Sequence, residues 1–70
     1  MMTYEEAMER VKNGSIVQRR LWRFSFVKME NGKIIYRTRS NIHGEATVIY
    51  ATISYTPSQS DIDATDWFEI

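Results

Sequence analysis

The six residues "MENGKI", positions 29–34, decide how the middle of this chain folds. Asn31-Gly32 is typical of a two-residue type I′ turn, because both central positions of that turn need a positive φ, which asparagine and glycine tolerate. Such a turn closes a β-hairpin and fixes its register. The predicted cross-strand pairs are Met29 with Ile34, Val27 with Tyr36, Phe26 with Arg37, and Phe24 with Arg39.

This register divides the hairpin into two faces of different chemistry, because successive residues of a strand point to opposite sides of the sheet. One face is mostly apolar and is predicted to join the core; it carries Ser25, Val27, Met29, Ile34, Tyr36 and Thr38. The other face mixes rings with cations and is predicted to be a binding or subunit surface; it carries Phe24, Phe26, Lys28, Ile35, Arg37 and Arg39.

Three segments outside the turn extend the sheet. Residues 16–29 alternate β-branched and aromatic residues with polar ones and predict one continuous strand into the hairpin. After the loop "SNIHGE" at 40–45, the Val-, Ile-, Thr- and Tyr-rich residues 46–55 predict a long strand. The segment "DWFEI", residues 66–70, predicts a last strand in which Trp67 and Glu69 alternate with Phe68 and Ile70.

The segment "TYEEAMERVKNG", residues 3–14, predicts a helix at the start of the chain. Thr3 and Glu6 form a capping-box pattern, and Asn13-Gly14 supplies a C-terminal stop. The spacing of four apolar residues places them on one helix face that packs on the sheet. These residues are Tyr4, Ala7, Met8 and Val11.

A second, shorter helical turn is predicted from "TPSQSDIDA", residues 56–64. Thr56 would be its N-cap, Pro57 its first residue and Gln59 its third. The fold class is therefore α+β, with one N-terminal helix packed on an antiparallel sheet of four to five strands and a short helical turn before the C-terminal strand. Residues 1–70 form a single domain.

The size and composition of the chain predict self-association. A 70-residue chain buries a small core, and the absence of cysteine excludes disulfides and thiolate metal sites as a remedy. A homo-oligomer, dimer or tetramer, is the remaining way to gain stability. The sequence has no apolar run that predicts a membrane span and no leader pattern, so we expect a cytoplasmic protein without a membrane partner.

Charge is distributed unevenly although the formal net charge is zero. All nine Lys and Arg residues lie between Arg10 and Arg39, where Glu30 is the one acid. Either the acidic ends neutralise this segment within the fold or across a subunit interface, or part of the segment faces an anion. The sequence alone leaves both interpretations open.

The sequence offers little chemistry for catalysis, so we predict that the protein is not an enzyme. His43 is the one histidine, and it lies in a loop beside Glu45. Asp61, Asp63 and Asp66 lack the glycine and glutamate spacing of a calcium loop, and helix capping or surface solubility explains them better. We therefore predict no metal, no cofactor and no catalytic residue.

The segment "VQRRLWRFSF", residues 17–26, carries the strongest binding signal. Aromatic rings stack on nucleobases, and arginine pairs with phosphate. The residues that could do so are Arg19, Arg20, Trp22, Arg23, Phe24 and Phe26. In the alternative interpretation Trp22 and one phenylalanine belong to the core or an interface, and the arginines are solvated.

Both ends of the chain together resemble a family of small phage proteins, the Thoeris anti-defence proteins of the second type. The resemblance covers about half the chain and rests on "MTYEEA" at 2–7, "KNG" at 12–14, "VQRRLW" at 17–22 and "PSQSDIDATDW" at 57–67. It implies an oligomeric, non-catalytic sponge that holds immune signalling nucleotides between protomers. These nucleotides are cyclic ADP-ribose isomers and, in some members, cyclic dinucleotides. It also implies action in the cytoplasm of the infected host.

The resemblance and the basic aromatic segment 17–26 together lead us to predict a set of ligand-binding residues. We expect Trp22 to stack on a base and Arg19 to meet phosphate, while Ser58, Gln59 or Asp61 contacts ribose hydroxyls. The full predicted set is Arg19, Arg20, Trp22, Phe24, Tyr55, Pro57, Ser58, Gln59 and Asp61. Asp66 and Trp67 match the family pattern as well, and a purely structural role for them stays open.

Two other functions compete with the sponge. The basic and aromatic hairpin face could bind single-stranded nucleic acid, although zero net charge disfavours a protein dedicated to nucleic acid. Alternatively, the chain is an inert interaction domain whose apolar face makes only subunit contacts. Salt dependence separates the first two functions, because nucleic-acid binding releases many counterions.

Overall fold

The computed structural model describes residues 1–41 and 48–70. Its element order is α1 (Tyr4–Lys12), β1 (Val17–Arg19), β2 (Ser25–Glu30), β3 (Lys33–Asn41), β4 (Val48–Ser54), α2 (Gln59–Asp63) and β5 (Trp67–Glu69). The strands form one antiparallel sheet in the order β4-β3-β2-β1-β5. The predicted α+β class is confirmed, with five strands.

The two described helices have nine and five residues, too few to cross a membrane.

The predicted hairpin register is confirmed over β2 and β3. Asn31 and Gly32 have φ values of 52° and 77°, as a type I′ turn requires. The described ladder begins at Ser25 with Thr38, so the predicted pair of Phe24 with Arg39 lies outside it and stays a prediction.

The first helix is also confirmed. Thr3 and Glu6 form both hydrogen bonds of the capping box, and Gly14 follows the helix with φ 99°. The Thr3 backbone N–H that bonds the Glu6 carboxylate holds the pKa of Glu6 below its usual value. The helix buries Ala7, Met8 and Val11 against the sheet.

The predicted continuous strand over 16–29 is wrong, because the chain reverses between β1 and β2. A turn in which the Trp22 N–H donates to the Arg19 carbonyl at 2.9 Å ends β1. The reversal pairs Val17 with Val27, and both residues are fully buried. Burial of these two valines under α1 stabilises the folded chain, and a straight strand over the same residues would lose this stabilisation.

The second helix begins two residues later than predicted. Ser58, not Thr56, is its N-cap, and Asp61 takes the third helical position that was predicted for Gln59. The Ser58 hydroxyl accepts from the Asp61 N–H, while the Asp61 carboxylate accepts from the Ser58 N–H. An aspartate therefore completes the capping box, a position in which glutamate or glutamine is more usual.

Helix α1 and the start of α2 lie on one side of the sheet, which we call the helix face. The core on this face consists of Ala7, Met8, Val11, Val17, Val27 and Trp67. Helix α1 packs mainly on β1, β2 and β5 and lies beside Ile34 at the start of β3, so most of β3 and β4 extends beyond it. The opposite side, the open face, carries Phe26, Ile35 and Arg37, as predicted from the hairpin register.

Candidate functional site: an aromatic cavity beside the second helix

A cavity of about 320 Å³ opens on the helix face, between β3–β4 and the start of α2. We call it the ring cavity. Its volume is at the lower end of the range for small-molecule sites. The residues that line it are Trp22, Tyr36, Ile53, Ser54, Tyr55, Thr56, Ser58 and Asp61.

Three aromatic side chains form the apolar wall of the ring cavity. Trp22 meets Tyr36 edge-on, with 5.4 Å between ring centroids, and Tyr36 lies nearly parallel to Tyr55 at 6.3 Å. Trp67 supports this wall from below, with its ring centroid 5.2 Å from that of Trp22. Edge-to-face packing of this kind holds each ring in one orientation. The cavity therefore presents ring surfaces that are already fixed.

The polar wall is built around the carboxylate of Asp61, whose side chain is only 12% exposed. Its Oδ1 accepts from Arg19 Nη1 at 3.1 Å. Its Oδ2 accepts from the Tyr55 hydroxyl at 2.9 Å and from the Ser58 N–H at 3.3 Å. Asp61, which completes the capping box of α2, thus also positions the ring of Tyr55 in the cavity wall.

Arg19 reaches this network from β1 and is held on several sides. Its Nε donates to Asp66 Oδ1 at 3.0 Å, and its Nη1 also donates to the Ser60 hydroxyl at 3.2 Å. Partial burial lowers the pKa of Arg19, but the hydrogen bonds to Asp66 and Asp61 outweigh it and the pKa is raised. Arg19 is thus a fixed cation behind the polar wall.

The hydroxyl of Tyr55 is a donor in this network. Burial, followed by its hydrogen bond to the Asp61 carboxylate, raises the pKa of the phenol. The phenol of Tyr55 therefore remains protonated at any physiological pH and serves as a hydrogen-bond donor.

The structure brings together five of the nine predicted site residues. Trp22, Tyr55, Ser58 and Asp61 line the ring cavity, and Arg19 bonds to Asp61 from behind it.

The other four lie outside the lining. Arg20 is exposed and approaches Met1 Sδ at 4.0 Å, beside Phe68 in a separate cavity. Phe24 is 53% exposed on the turn before β2. Pro57 is half-buried, and Gln59 is exposed and donates to Asp63.

Four lining residues were absent from the predicted set: Tyr36, Ile53, Ser54 and Thr56. Tyr36 was assigned to the core face of the hairpin, and that face is correct. The missing signal was the limited reach of α1, a nine-residue helix that packs mainly on β1, β2 and β5. Because α1 is short, the ring of Tyr36 lines the cavity, although it lies on the predicted core face.

The three clustered aspartates have protein partners. Asp61 and Asp66 bind Arg19, and Asp63 accepts from Gln59. Among residues 1–41 and 48–70, no three potential metal ligands come together. Helix capping, one of the two explanations given for this group of aspartates, applies to Asp61. His43 and the loop around it lie outside the described residues.

The uneven charge of the sequence is partly neutralised within the fold. Arg10 pairs with Glu69, and Arg19 pairs with Asp61 and Asp66, so two basic residues meet the acidic C-terminal segment. On the open face, Arg37 bonds Glu30 and Thr52 and lies 5.9 Å from the Phe26 ring centroid.

A comparison with known families gives a match over nearly the whole chain. The Tad2-like family, described as the Thoeris anti-defense 2-like domain, matches residues 2–70. A comparison with curated proteins gave no match.

Proposed function

This chain belongs to the Thoeris anti-defense 2-like family, which gives it a role against Thoeris defence, and we propose that it acts by sequestering a small signalling nucleotide in the ring cavity. The ligand class is cyclic ADP-ribose isomers, with cyclic dinucleotides as a second class. The protein acts as a homo-oligomer in the cytoplasm of the infected host and releases its ligand unchanged.

The observation that carries this proposal is the composition of the cavity wall. Trp22, Tyr36 and Tyr55 offer ring surface, and stacking of a base on an aromatic side chain contributes about 1–3 kcal/mol. Hydroxyls of Ser54, Thr56 and Ser58 lie on the same wall, where they can meet ribose hydroxyls and phosphate oxygens. Rings beside hydroxyls suit a nucleoside better than a purely apolar ligand.

The charges around the cavity are compatible with an anionic ligand. Among the described residues Asp61 is the acid in the lining, and Arg19, which also binds Asp66, offsets part of its charge at 3.1 Å. Arg23 follows Trp22 directly and is exposed, so a cation is available on the same turn as one ring of the wall. We expect Arg23 to meet a phosphate group, and Arg19 to act through Asp61.

The same network supports capture without cleavage. Hydrolysis of a phosphoanhydride or glycosidic bond needs a positioned base, nucleophile or metal-activated water. Of the lining residues that the structure describes, Asp61 is the one with a carboxylate, and both of its oxygens already accept hydrogen bonds from the protein. It is therefore positioned to organise the wall and poorly placed to accept a proton from water.

Thermal stability in the presence of ligands tests the proposal. A nucleotide at 100 times its dissociation constant stabilises a fold by about 2.7 kcal/mol. For a domain of this size that corresponds to a rise in melting temperature of about 10 °C or more. We expect this rise with at least one cyclic ADP-ribose isomer or cyclic dinucleotide. If no cyclic ADP-ribose isomer or cyclic dinucleotide raises the melting temperature at millimolar concentration, the proposal is contradicted.

Thr56→Glu should lower nucleotide affinity without unfolding the protein. Thr56 is exposed and lines the ring cavity, so the new carboxylate would stand near the ligand phosphates. Like charges about 4 Å apart cost about 1–4 kcal/mol at and near a protein surface, at least a fivefold loss of affinity. Isothermal titration calorimetry measures this loss.

Thr65→Glu is the matched control, because Thr65 is also exposed but does not line the cavity. It should bind nucleotide as the unaltered protein does. Equal losses in both variants would indicate a general charge effect, and no loss in Thr56→Glu would place the ligand elsewhere.

The alternative of single-stranded nucleic-acid binding gains no support from the open face. Arg37 there is already held by Glu30, Thr52 and the Phe26 ring. A short oligonucleotide should therefore give no thermal shift. A shift that disappears between 50 and 200 mM salt would favour the nucleic-acid function instead.

A further inference from the structure

We propose that the outer edge of β4 pairs with the same edge of a second copy of this chain, in antiparallel orientation about a two-fold axis. The pairing would join two five-stranded sheets into one continuous sheet. It rests on the homo-oligomer proposed above and specifies one of its interfaces; because it uses only the backbone of residues 48–54 and requires no nucleotide, its failure would leave nucleotide capture untested by this experiment.

The two edges of the sheet differ sharply in protection. The β5 edge has three residues, and Met2 covers it through hydrogen bonds with Trp67 at 2.7 and 3.2 Å. The β4 edge has seven residues, and its outer side has no backbone partner among residues 1–41 and 48–70. Natural sheets usually protect long edges, so an unprotected one indicates a partner strand.

The sequence of β4, "VIYATIS", has none of the features that block edge pairing. It contains no charged residue, no proline and no glycine. The ladder with β3 runs without a bulge from Ile35–Ser54 to Asn41–Val48, so the edge is regular. On it Ile53 is 59% exposed. An uncharged, β-branched strand can pair with itself without placing like charges opposite each other.

The direction of the backbone groups selects a register. The Tyr55 N–H donates to the Ile34 carbonyl at 3.1 Å, so the N–H and C=O groups of Tyr55 face β3. Since these groups alternate along a strand, those of Ala51 and Ile53 also face β3, and those of Thr52 and Ser54 face outward.

An antiparallel pair centred on Ala51 uses every outward group of the strand. Residues 50 and 52 of the two copies then face each other as hydrogen-bonded pairs, as do residues 48 and 54. Ala51 meets its own copy at a non-hydrogen-bonded position, where Cα atoms approach to about 4.5 Å. A small side chain suits that close approach.

The pairing also has a consequence for the ring cavity. Residue 49 of the second copy would pair with Ile53, whose side chain lies on the helix face. Ile53 lines the cavity, so the second copy would stand beside its mouth. The two cavities of the dimer would open on the same face, on either side of the two-fold axis.

Thr52→Pro tests the pairing with little change to the protomer. The Thr52 N–H faces outward, so its loss removes no hydrogen bond to β3, and proline is tolerated at such edge positions. Thr52→Val is the matched control, since both variants lose the hydroxyl that accepts from Arg37 while valine keeps the N–H. We expect the dimer dissociation constant of Thr52→Pro to rise at least tenfold over that of Thr52→Val, measured by analytical ultracentrifugation.

Hydrogen exchange on the unaltered protein gives a second test that needs no variant. At concentrations where the mass is at least twice 8.3 kDa, amides of Thr52 and Ser54 should be protected as well as those of Ala51 and Ile53. Diluting the protein to the monomer should expose only the outward pair. The proposal is overturned if the outward amides exchange freely in the oligomer, if the protein stays monomeric at about 100 μM, or if both Thr52 variants dimerise equally.

Discussion

Asp61→Ala should destabilise the fold by about 2–5 kcal/mol, because partly buried donors that lose their acceptor cost about 1–3 kcal/mol each. The side chains of Asp61 and Arg19 are each 12% exposed. Without the carboxylate, Arg19 would keep one acidic partner, Asp66, while the Tyr55 hydroxyl and the Ser58 N–H would lose theirs. Urea unfolding followed by tryptophan fluorescence measures the change.

Glu69→Ala is the control for this prediction. It also breaks an ion pair, with Arg10, but those side chains are 42% and 59% exposed. Exposed pairs contribute about 0–1 kcal/mol, so the loss should be small. Similar losses in the two variants would mean that Asp61 is no more important to the fold than a surface carboxylate, and that the polar wall of the cavity is not rigid.

Trp67→Ala should have an equally large effect. Trp67 is fully buried, contacts the rings of Tyr4, Trp22 and Tyr55, and donates from its indole nitrogen to the Asp61 carbonyl at 3.1 Å. Truncating a buried tryptophan costs about 3–5 kcal/mol. A 70-residue domain has about 4–10 kcal/mol in total, so much of this variant should be unfolded at 37 °C. Far-ultraviolet circular dichroism during thermal melting measures it.

Phe68→Ala provides the comparison within the same strand. Phe68 is the next residue along β5, points to the open face and is only half-buried. It should lose less than half as much stability as Trp67→Ala. The reverse order would show that the main core lies on the open face, against the packing of α1.

The register of the β2–β3 hairpin and the limits of α1 could be predicted because their signals are local. Asn31-Gly32 determines the turn by its backbone preference, and the Thr3–Glu6 box determines the helix start through its own hydrogen bonds. Neither signal depends on distant residues, so the local sequence is enough to predict both the turn and the start of the helix.

The reversal between β1 and β2 has no comparable signal. Residues 20–24, "RLWRF", contain no glycine, proline, asparagine or aspartate to mark a turn. The reversal depends on tertiary contacts, in which Trp22 packs on Trp67 and Val17 pairs with Val27. Alternation alone therefore predicted one strand, since both halves have strand composition.

The start of α2 was misplaced for a different reason. Two capping frames overlap in this segment, Thr56 with Gln59 and Ser58 with Asp61. The glutamine frame matches the usual pattern more closely. The aspartate frame prevails because the Asp61 carboxylate also binds Arg19 and the Tyr55 hydroxyl. A contact between distant parts of the chain thus decides where a short helix begins.

The candidate site could be predicted only in part. The predicted set included Trp22, Tyr55, Ser58 and Asp61, which the fold gathers around one cavity. Tyr36 required knowledge of where α1 ends over the sheet. The expected phosphate contact of Arg19 stays a prediction, and the ion pairs with Asp61 and Asp66 favour a supporting role for this arginine.

Recovery of the ligand after capture tests the central claim most directly. A cyclic ADP-ribose isomer is incubated with excess protein until the free ligand disappears; the protein is then denatured by heat, and the released ligand is quantified by chromatography and mass spectrometry. The account predicts full recovery of the intact cyclic nucleotide at every incubation time. A linear or smaller product that grows with time and protein concentration would contradict it and show that the protein is an enzyme.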